Sequence, residues 1–368
     1  MTVNFHTLAN HYISELTPYQ PGKPVEEVER ELGIASAIKL ASNENPLGAS
    51  PQALTAIQKA LQNMHIYPDG ACFELKQTLS LFLNKSTNQL TIGNGSENIL
   101  EIIMKAYLKP GDEAVISQYA FLTIPLLIQG HGGKIVRVPA NNFNHDIPNM
   151  ISAVHEKTRI IFIVNPNNPT GTYTKQNELI HLLESIPPHV LVVVDEAYHE
   201  YISSLDYPDT LSMLDQYPNL VVVRTFSKAY GLAALRIGFA ISSPVIADIL
   251  NRARLPFNVN SIATVAAKAA LLDQDHIKKS IKINQEGMKQ LEEGLKKLKI
   301  DYIPSLGNFI TINVIKNSAE ITQKLLLQGV IVRPLIPYNM LNYIRVTIGT
   351  FEQNDFFLRA FQKVLEMK

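Results

Sequence analysis

The period of the apolar positions changes along the chain, and the changes mark its elements. The segments EAVIS (113–117), KIVRVP (134–139), RIIFIVN (159–165), VLVVVD (190–195) and LVVVRT (220–225) read as strands. Several are continuous β-branched runs with no polar alternation. Strands of that kind are buried on both faces, as in a parallel sheet covered by helices. Between and around them, SENILEIIMKAYL (96–108), TKQNELIHLLESI (174–186) and SPVIADILNRARL (243–255) predict helices. The first carries apolar residues on most of its faces, so it is expected to be deeply packed.

After about residue 256 the texture changes. MKQLEEGLKKLK (288–299) predicts an amphipathic helix in which Glu292–Lys296 and Glu293–Lys297 stand four apart in the favourable order, the mark of a solvated face. FITINV (309–314), a helix around 318–328, GVIVRPL (329–335), YIRVTIG (343–349) and a closing helix predict a small α+β domain. A long helix near 261–288 is expected to join it to the rest. The first forty residues are weakly periodic and read as an arm with one short helix. The expected organisation is therefore an arm with part of the small domain (1–45), a large α/β domain (46–258) and a small C-terminal α+β domain (259–368).

Composition narrows the possible partners. The chain has 368 residues, and at about 150 residues per domain that suits two domains. Lys+Arg and Asp+Glu are both 33, and no basic run stands out, so a nucleic-acid partner is not expected. The single cysteine, Cys72, excludes an intramolecular disulfide and suits a reducing compartment. The N-terminal stretch lacks the basic and apolar regions of a secretion signal, and no apolar run approaches the ~20 residues of a membrane helix. A cytoplasmic protein without a membrane partner is expected. The ten His residues are scattered and none lies in a metal-ligand spacing, so no metal is expected.

The chemistry lies in the segments just after the apolar runs. NPNNPTG (165–171) comes after RIIFIV, DEAY (195–198) after VLVVV, and TFSKAYGLAALRIG (225–238) after LVVVR. In an open α/β sheet ligands bind beyond the carboxyl ends of the strands, so Asn168, Asp195, Tyr198 and Lys228 are expected to converge on one crevice. Each has a bland alternative: a turn, a helix cap or an exposed lysine. Four such roles falling together at strand ends is a weaker explanation than one site. GNGSEN (93–98) breaks the dinucleotide fingerprint at Asn98, and no P-loop occurs. The segment still precedes a helix, so Ser96 and the helix-start amides can bind an anion, or Ser96 can simply cap that helix.

An amine (Lys228) can condense with an aldehyde, and a buried carboxylate (Asp195) can keep a pyridine nitrogen protonated. Asn168 and Tyr198 can hydrogen-bond a phenolic oxygen. Arg236, Ser96, Thr225, Ser227 and helix-start amides can hold a phosphate, and an aromatic such as Tyr119 can stack on a ring. Pyridoxal 5'-phosphate presents all of these groups together.

The same motifs resemble the fold-type I pyridoxal-phosphate aminotransferases, class II in sequence terms, over nearly the whole chain. PYQPGKP (18–24), ASNENPLG (41–48), YPDG (67–70), GNGSEN and IRVTIGT (344–350) resemble the histidinol-phosphate aminotransferase branch. The resemblance implies a mostly parallel sheet sandwiched by helices, and amino transfer between glutamate and imidazole acetol phosphate in histidine biosynthesis. Aromatic amino acid transamination and threonine-phosphate decarboxylation are the alternatives on the same scaffold. It further implies that Lys228 carries the cofactor and moves the proton, that Tyr119 is the stacking aromatic, and that Gly95, Ser96 and Glu97 lie at the phosphate loop. Tyr67 is implied to reach the cofactor phosphate of a neighbouring subunit in a homodimer with shared sites. Arg345, Arg333, Tyr19 and Asn45 are implied substrate contacts. The chain departs from the pattern at Ser117-Gln118 before Tyr119, and at Tyr230.

Overall fold

The computed structural model describes residues 3–19, 22–34 and 36–367. Its centre is a seven-stranded sheet: β1 (Leu90–Gly93), β2 (Glu113–Ser117), β3 (Lys134–Val138), β4 (Thr158–Val164), β5 (Leu191–Asp195), β6 (Leu220–Thr225) and β7 (Gly238–Ser242). The spatial order is β1-β7-β6-β5-β4-β2-β3. Strands β2 to β6 pair in parallel, whereas β7 runs antiparallel to both β1 and β6.

The unbroken apolar runs are explained by two cores, one on each face. Alternate residues of a strand point to opposite faces. Val192, Val194 and Val222 therefore join one apolar cluster, and Val193, Val221 and Val223 join the other. All residues of β5 and β6 are buried. Burying each such side chain is worth roughly 1.5–3 kcal/mol, so a polar residue on either face of these strands would be costly. The helix Ser96–Tyr107 buries Ile99, Leu100, Ile102, Ile103 and Met104, as its apolar faces predicted.

Beyond the large domain, Phe309–Asn313 pairs antiparallel with Tyr343–Thr347 and with Tyr302–Ile303. The run GVIVRPL, expected as one strand, divides between two sheets. Val330–Ile331 pairs in parallel with Ile38–Lys39, while Arg333–Pro334 pairs with Ile344 and Arg345. Pro334 has no N–H to donate, which limits the second ladder to a short edge. The pairing with Ile38–Lys39 stitches the end of the arm to the small domain.

The expected joining helix is two helices, Ser261–Leu272 and Gln274–Leu298. They meet at Asp273, whose φ of −86° and ψ of 67° leave the helical region and whose carboxylate accepts the His276 N–H. The alanine-rich first helix packs on Pro51–Ala60 of the large domain. The second begins against the large-domain core through Ile277 and ends in the small-domain core through Leu291 and Leu295. Within it Glu293 pairs back toward Lys289, on an exposed face. Among the described residues no helix is long and apolar enough to cross a membrane.

Candidate active site

A cleft of about 350 Å³ opens at the carboxyl ends of β4, β5 and β6. Its floor is set by how β5 ends. Asp195 turns into the cleft and is 4% exposed, while the next residue, Glu196, points to the opposite side. Glu196 is held there by Arg224 through Nε at 2.9 Å and Nη2 at 2.8 Å, and by the Thr210 hydroxyl at 2.9 Å. Asp195 has no such cation. It accepts the Ala197 N–H at 3.1 Å and forms no salt bridge with a described residue. Burial pushes its carboxyl up to about 7.

β6 delivers the amine. Thr225 ends the strand, its hydroxyl accepts the Ser227 N–H at 3.1 Å, and the tight turn points Lys228 back into the cleft. The Lys228 Nζ donates to the Ser42 carbonyl at 3.1 Å and lies 5.7 Å from the Tyr198 ring centre. Burial, reinforced by the nearby Arg345 guanidinium, brings its ammonium down to about 8. An amine so lowered has a sizeable neutral, nucleophilic fraction near neutral pH. Tyr198 is buried, accepts the Asn43 Nδ2–H at 2.9 Å, and its phenol is pushed up to about 12 by burial.

β4 leads into the 165–171 loop. Asn165 closes the loop by bonding both backbone groups of Thr174, and Asn167 donates to the Tyr119 carbonyl at 3.1 Å. Asn168 is thereby presented to the cleft, where its Oδ1 accepts from Arg345 Nη1.

The far end is built from β1 and the approach to β7. Gly95 precedes the helix Ser96–Tyr107 with φ +86°, and a Cβ there would lie 2.9 Å from Arg236 Nη2. Glycine is needed on both counts. Arg236, itself at φ +53°, reaches Ser227 Oγ at 3.4 Å and Glu97 Oε2 at 3.1 Å. Ser96 does not cap the helix: it is the first helical residue, and no described side chain caps this end. The helix-start N–H groups, the positive end of the helix dipole and Arg236 together suit a dianion.

Two more arginines enter from the small domain. Arg345 is 7% exposed, donates Nη2 to the Ala41 carbonyl at 2.6 Å and lies over the Phe309 ring. Arg333 lies over the Tyr19 ring at 5.3 Å, and all three of Arg333, Tyr19 and Arg345 line the cleft.

The structure thus gathers Asn168, Asp195, Tyr198, Thr225, Ser227, Lys228, Arg236, Ser96, Glu97, Tyr19, Arg333 and Arg345 around one cleft, with Gly95 backing Arg236. Three expected positions fall elsewhere. Tyr119 does not line the cleft; its ring packs on Phe143, and Phe121, two residues on, takes the cleft wall. The backbone turn after β2 sets this parity, and SQYAF holds both aromatics. Asn45 is also off the cleft. Its amide is used up on the Ala229 carbonyl and the Ser280 hydroxyl, each at 2.8 Å, and Asn43 lines the cleft instead. Tyr67 is 80% exposed, stacked on Phe257, and belongs to no part of this cleft. Ser42 and Asn43 were signalled only by the ASNENP motif as a whole.

The class I and II aminotransferase family matches residues 35–361. The chain belongs to that family. It is 52% identical over 367 residues to a histidinol-phosphate aminotransferase of Pseudomonas fluorescens (strain Pf0-1), covering 99% of each chain. It is 50% identical to another from Nitrosococcus oceani, covering 98% of each. The crystal structure of histidinol-phosphate aminotransferase from Sinorhizobium meliloti, in complex with pyridoxal-5'-phosphate, superposes with a TM-score of 0.89 at 28% identity, covering 97% of each chain.

Proposed function

We propose that the chain is a pyridoxal-phosphate-dependent histidinol-phosphate aminotransferase, moving an amino group reversibly between glutamate and imidazole acetol phosphate. The observation that carries the reading is the charge pattern of the cleft. Asp195 is a buried carboxylate without a cation, and Arg345 is a buried cation bonded only to neutral acceptors among the described residues, with its Nε unpartnered. Unmatched buried charges are expensive, so each asks for a complementary ligand group.

Pyridoxal 5'-phosphate fits the first set. When bound it supplies an aldehyde for amine exchange and an electron-withdrawing ring. Asp195 would hold the ring nitrogen protonated, and its lack of any other cation suits that task. Lys228 would hold the cofactor aldehyde and, once displaced by substrate, move the proton at the substrate carbon. Asn168 and Tyr198 would hydrogen-bond the phenolic oxygen, and Phe121 would cover a ring face. Arg236, Ser96, Thr225, Ser227 and the amides after Gly95 would hold the phosphate, with Glu97 orienting Arg236. Arg345 and Arg333 would take the substrate's carboxylate or phosphate, which a planar guanidinium matches with two parallel hydrogen bonds. Tyr19 would support Arg333.

Tyr67, exposed and outside its own cleft, is assigned to the cofactor phosphate of a second subunit, which makes a homodimer the working unit. A cytoplasmic location is part of this reading, supported by the single buried cysteine. The test is steady-state turnover with 2-oxoglutarate and either L-histidinol phosphate or L-phenylalanine as donor. The reading expects kcat/KM for histidinol phosphate to exceed that for phenylalanine by at least about 100-fold, the worth of one or two charge-assisted contacts. A preference for phenylalanine would replace it with an aromatic aminotransferase.

A further inference from the structure

A second cavity, of about 390 Å³, lies behind the strand ends and shares no lining residue with the cleft. Its walls come from five places in the chain. Phe82 and Leu83 belong to the helix Phe73–Leu83, and His199 and Glu200 follow Tyr198. Arg224 and Phe239 come from β6 and β7. Ile277 and Ile281 come from the helix that joins the domains.

Most of this wall is apolar, and the polar groups in it are incompletely used. Arg224 spends Nε and Nη2 on Glu196, and its Nη1 has no hydrogen-bond partner among the described residues. Among those residues Glu200 is bonded by no other side chain, and no cation lies within salt-bridge distance of it. His199 Nδ1 is buried without a hydrogen bond. The charges decide what such a space takes. Glu196 and Arg224 cancel as a bonded pair, and burial keeps His199 toward its neutral form. Arg224 also attracts Glu200, so one guanidinium answers two carboxylates, Glu196 by direct bonds and Glu200 only at longer range, and the wall keeps one net negative charge. A mostly apolar chamber with one net negative charge, carried by a carboxylate that no side chain bonds directly, favours a ligand with an apolar body and one positive head group.

We propose that this cavity is a binding site for a small organic cation, an amine on an aromatic or branched aliphatic body, with Glu200 as its counter-ion. Phe82 stands at the mouth, 46% exposed, and the apolar body lies against Ile277 and Ile281. Binding depends on pH in a defined sense. Glu200 faces Arg224 and Glu196, with His199 beside it and the Tyr207 and Tyr230 phenols kept neutral by burial. Burial lifts the Glu200 carboxyl to about 7, so it is mostly protonated at pH 6 and mostly ionised at pH 8. A cationic ligand therefore binds more tightly at pH 8, and binding at lower pH releases a proton.

The chain contains no tryptophan, so Phe82→Trp places the only indole at the cavity mouth. The cofactor-loaded Phe82→Trp protein is titrated with phenethylamine and, separately, with 3-phenylpropionate, following indole fluorescence. The expected result is a saturable change with phenethylamine, at least threefold tighter at pH 8 than at pH 6, and none with phenylpropionate. Adding Glu200→Gln should weaken phenethylamine by tenfold or more while leaving cofactor absorbance and turnover within twofold. Ile281→Trp, which fills the chamber from the opposite wall, should block phenethylamine from quenching a dye attached at the mouth through a Phe82→Cys substitution. The same affinity in the Glu200→Gln background, equal response to the amine and the acid, or no saturation by 10 mM would overturn the proposal.

Discussion

Asn43 donates its Nδ2–H to the Tyr198 hydroxyl at 2.9 Å, tying the segment after Ile38–Lys39 to the aromatic that Lys228 approaches at 5.7 Å. The same residue is held from the small domain: its N–H donates to Thr347 Oγ1 at 2.9 Å, and its carbonyl accepts Asn308 Nδ2 at 3.0 Å. It also sits at φ +56°, a left-handed conformation that asparagine tolerates better than most residues. Asn43→Ala removes two side-chain hydrogen bonds, the one to Tyr198 and one that Asn43 Oδ1 accepts from Thr347 Oγ1 at 3.2 Å, and keeps the strained backbone. Urea unfolding should show a loss of about 2–3 kcal/mol. A loss below about 0.5 kcal/mol would mean that Asn43 does not join the domains as described.

Asp195 makes a prediction about pH. In the cofactor-free protein its carboxyl is raised from 3.8 to about 7, so the folded state keeps a proton that the unfolded chain releases. That contribution is fully present below about pH 4 and is lost as the pH rises through 7, up to roughly 4 kcal/mol. Lys228 acts in a different window: lowered from 10.5 to about 8, it contributes above 10.5 and loses that contribution as the pH falls through 8. Between pH 5 and 7.5, then, cofactor-free Asp195→Asn should gain on wild type by about 2–4 kcal/mol. Glu200 titrates in the same range in both proteins and cancels in the difference. Equal pH profiles by chemical denaturation would show that Asp195 is not an unmatched buried charge.

Arg345 separates binding from chemistry. Arg345→Lys keeps the charge and loses the planar fork. It should cost about 2–3 kcal/mol in kcat/KM for the phosphorylated substrate, roughly 30- to 150-fold, mostly in KM. Cofactor retention should not change. If kcat alone fell, Arg345 would belong to the proton-transfer step rather than to substrate binding.

Glu196 tests the structure behind the site. It is fully buried against Arg224, and Glu196→Gln leaves that guanidinium without a carboxylate. Removing one partner of a buried pair costs about 3–5 kcal/mol. Thermal and urea unfolding should both show it, whereas a neutral result would mean that water or Glu200 replaces the lost charge.

Much of this arrangement was legible in the sequence, for reasons that also explain the misses. The β5 and β6 runs were unmistakable because both faces of each strand are buried. β1 and β7 were not picked out: each is short, holds a glycine and has an unremarkable pattern, and its pairing depends on partners distant in the chain. The chemistry at strand ends could be read because the ends of buried strands fix position. Asn168, Asp195, Tyr198 and Lys228 meet for that reason. Two expected positions that fall off the cleft, Asn45 and Tyr119, lie where parity decides. Asn43 and Asn45, and Tyr119 and Phe121, are two residues apart in irregular segments, where composition is the same and only the backbone path selects the residue that faces the cleft. The break at Asp273 was hidden because an acid between two helical stretches reads as one more polar position until its capping of His276 is seen.

The most direct test is to mix the cofactor-loaded protein with L-histidinol phosphate, without any acceptor, and follow the cofactor's visible absorbance. A rapid stoichiometric conversion of that absorbance is predicted, restored by 2-oxoglutarate with release of glutamate, and absent in Lys228→Ala. An unchanged spectrum with histidinol phosphate, or wild-type conversion in Lys228→Ala, would contradict the account.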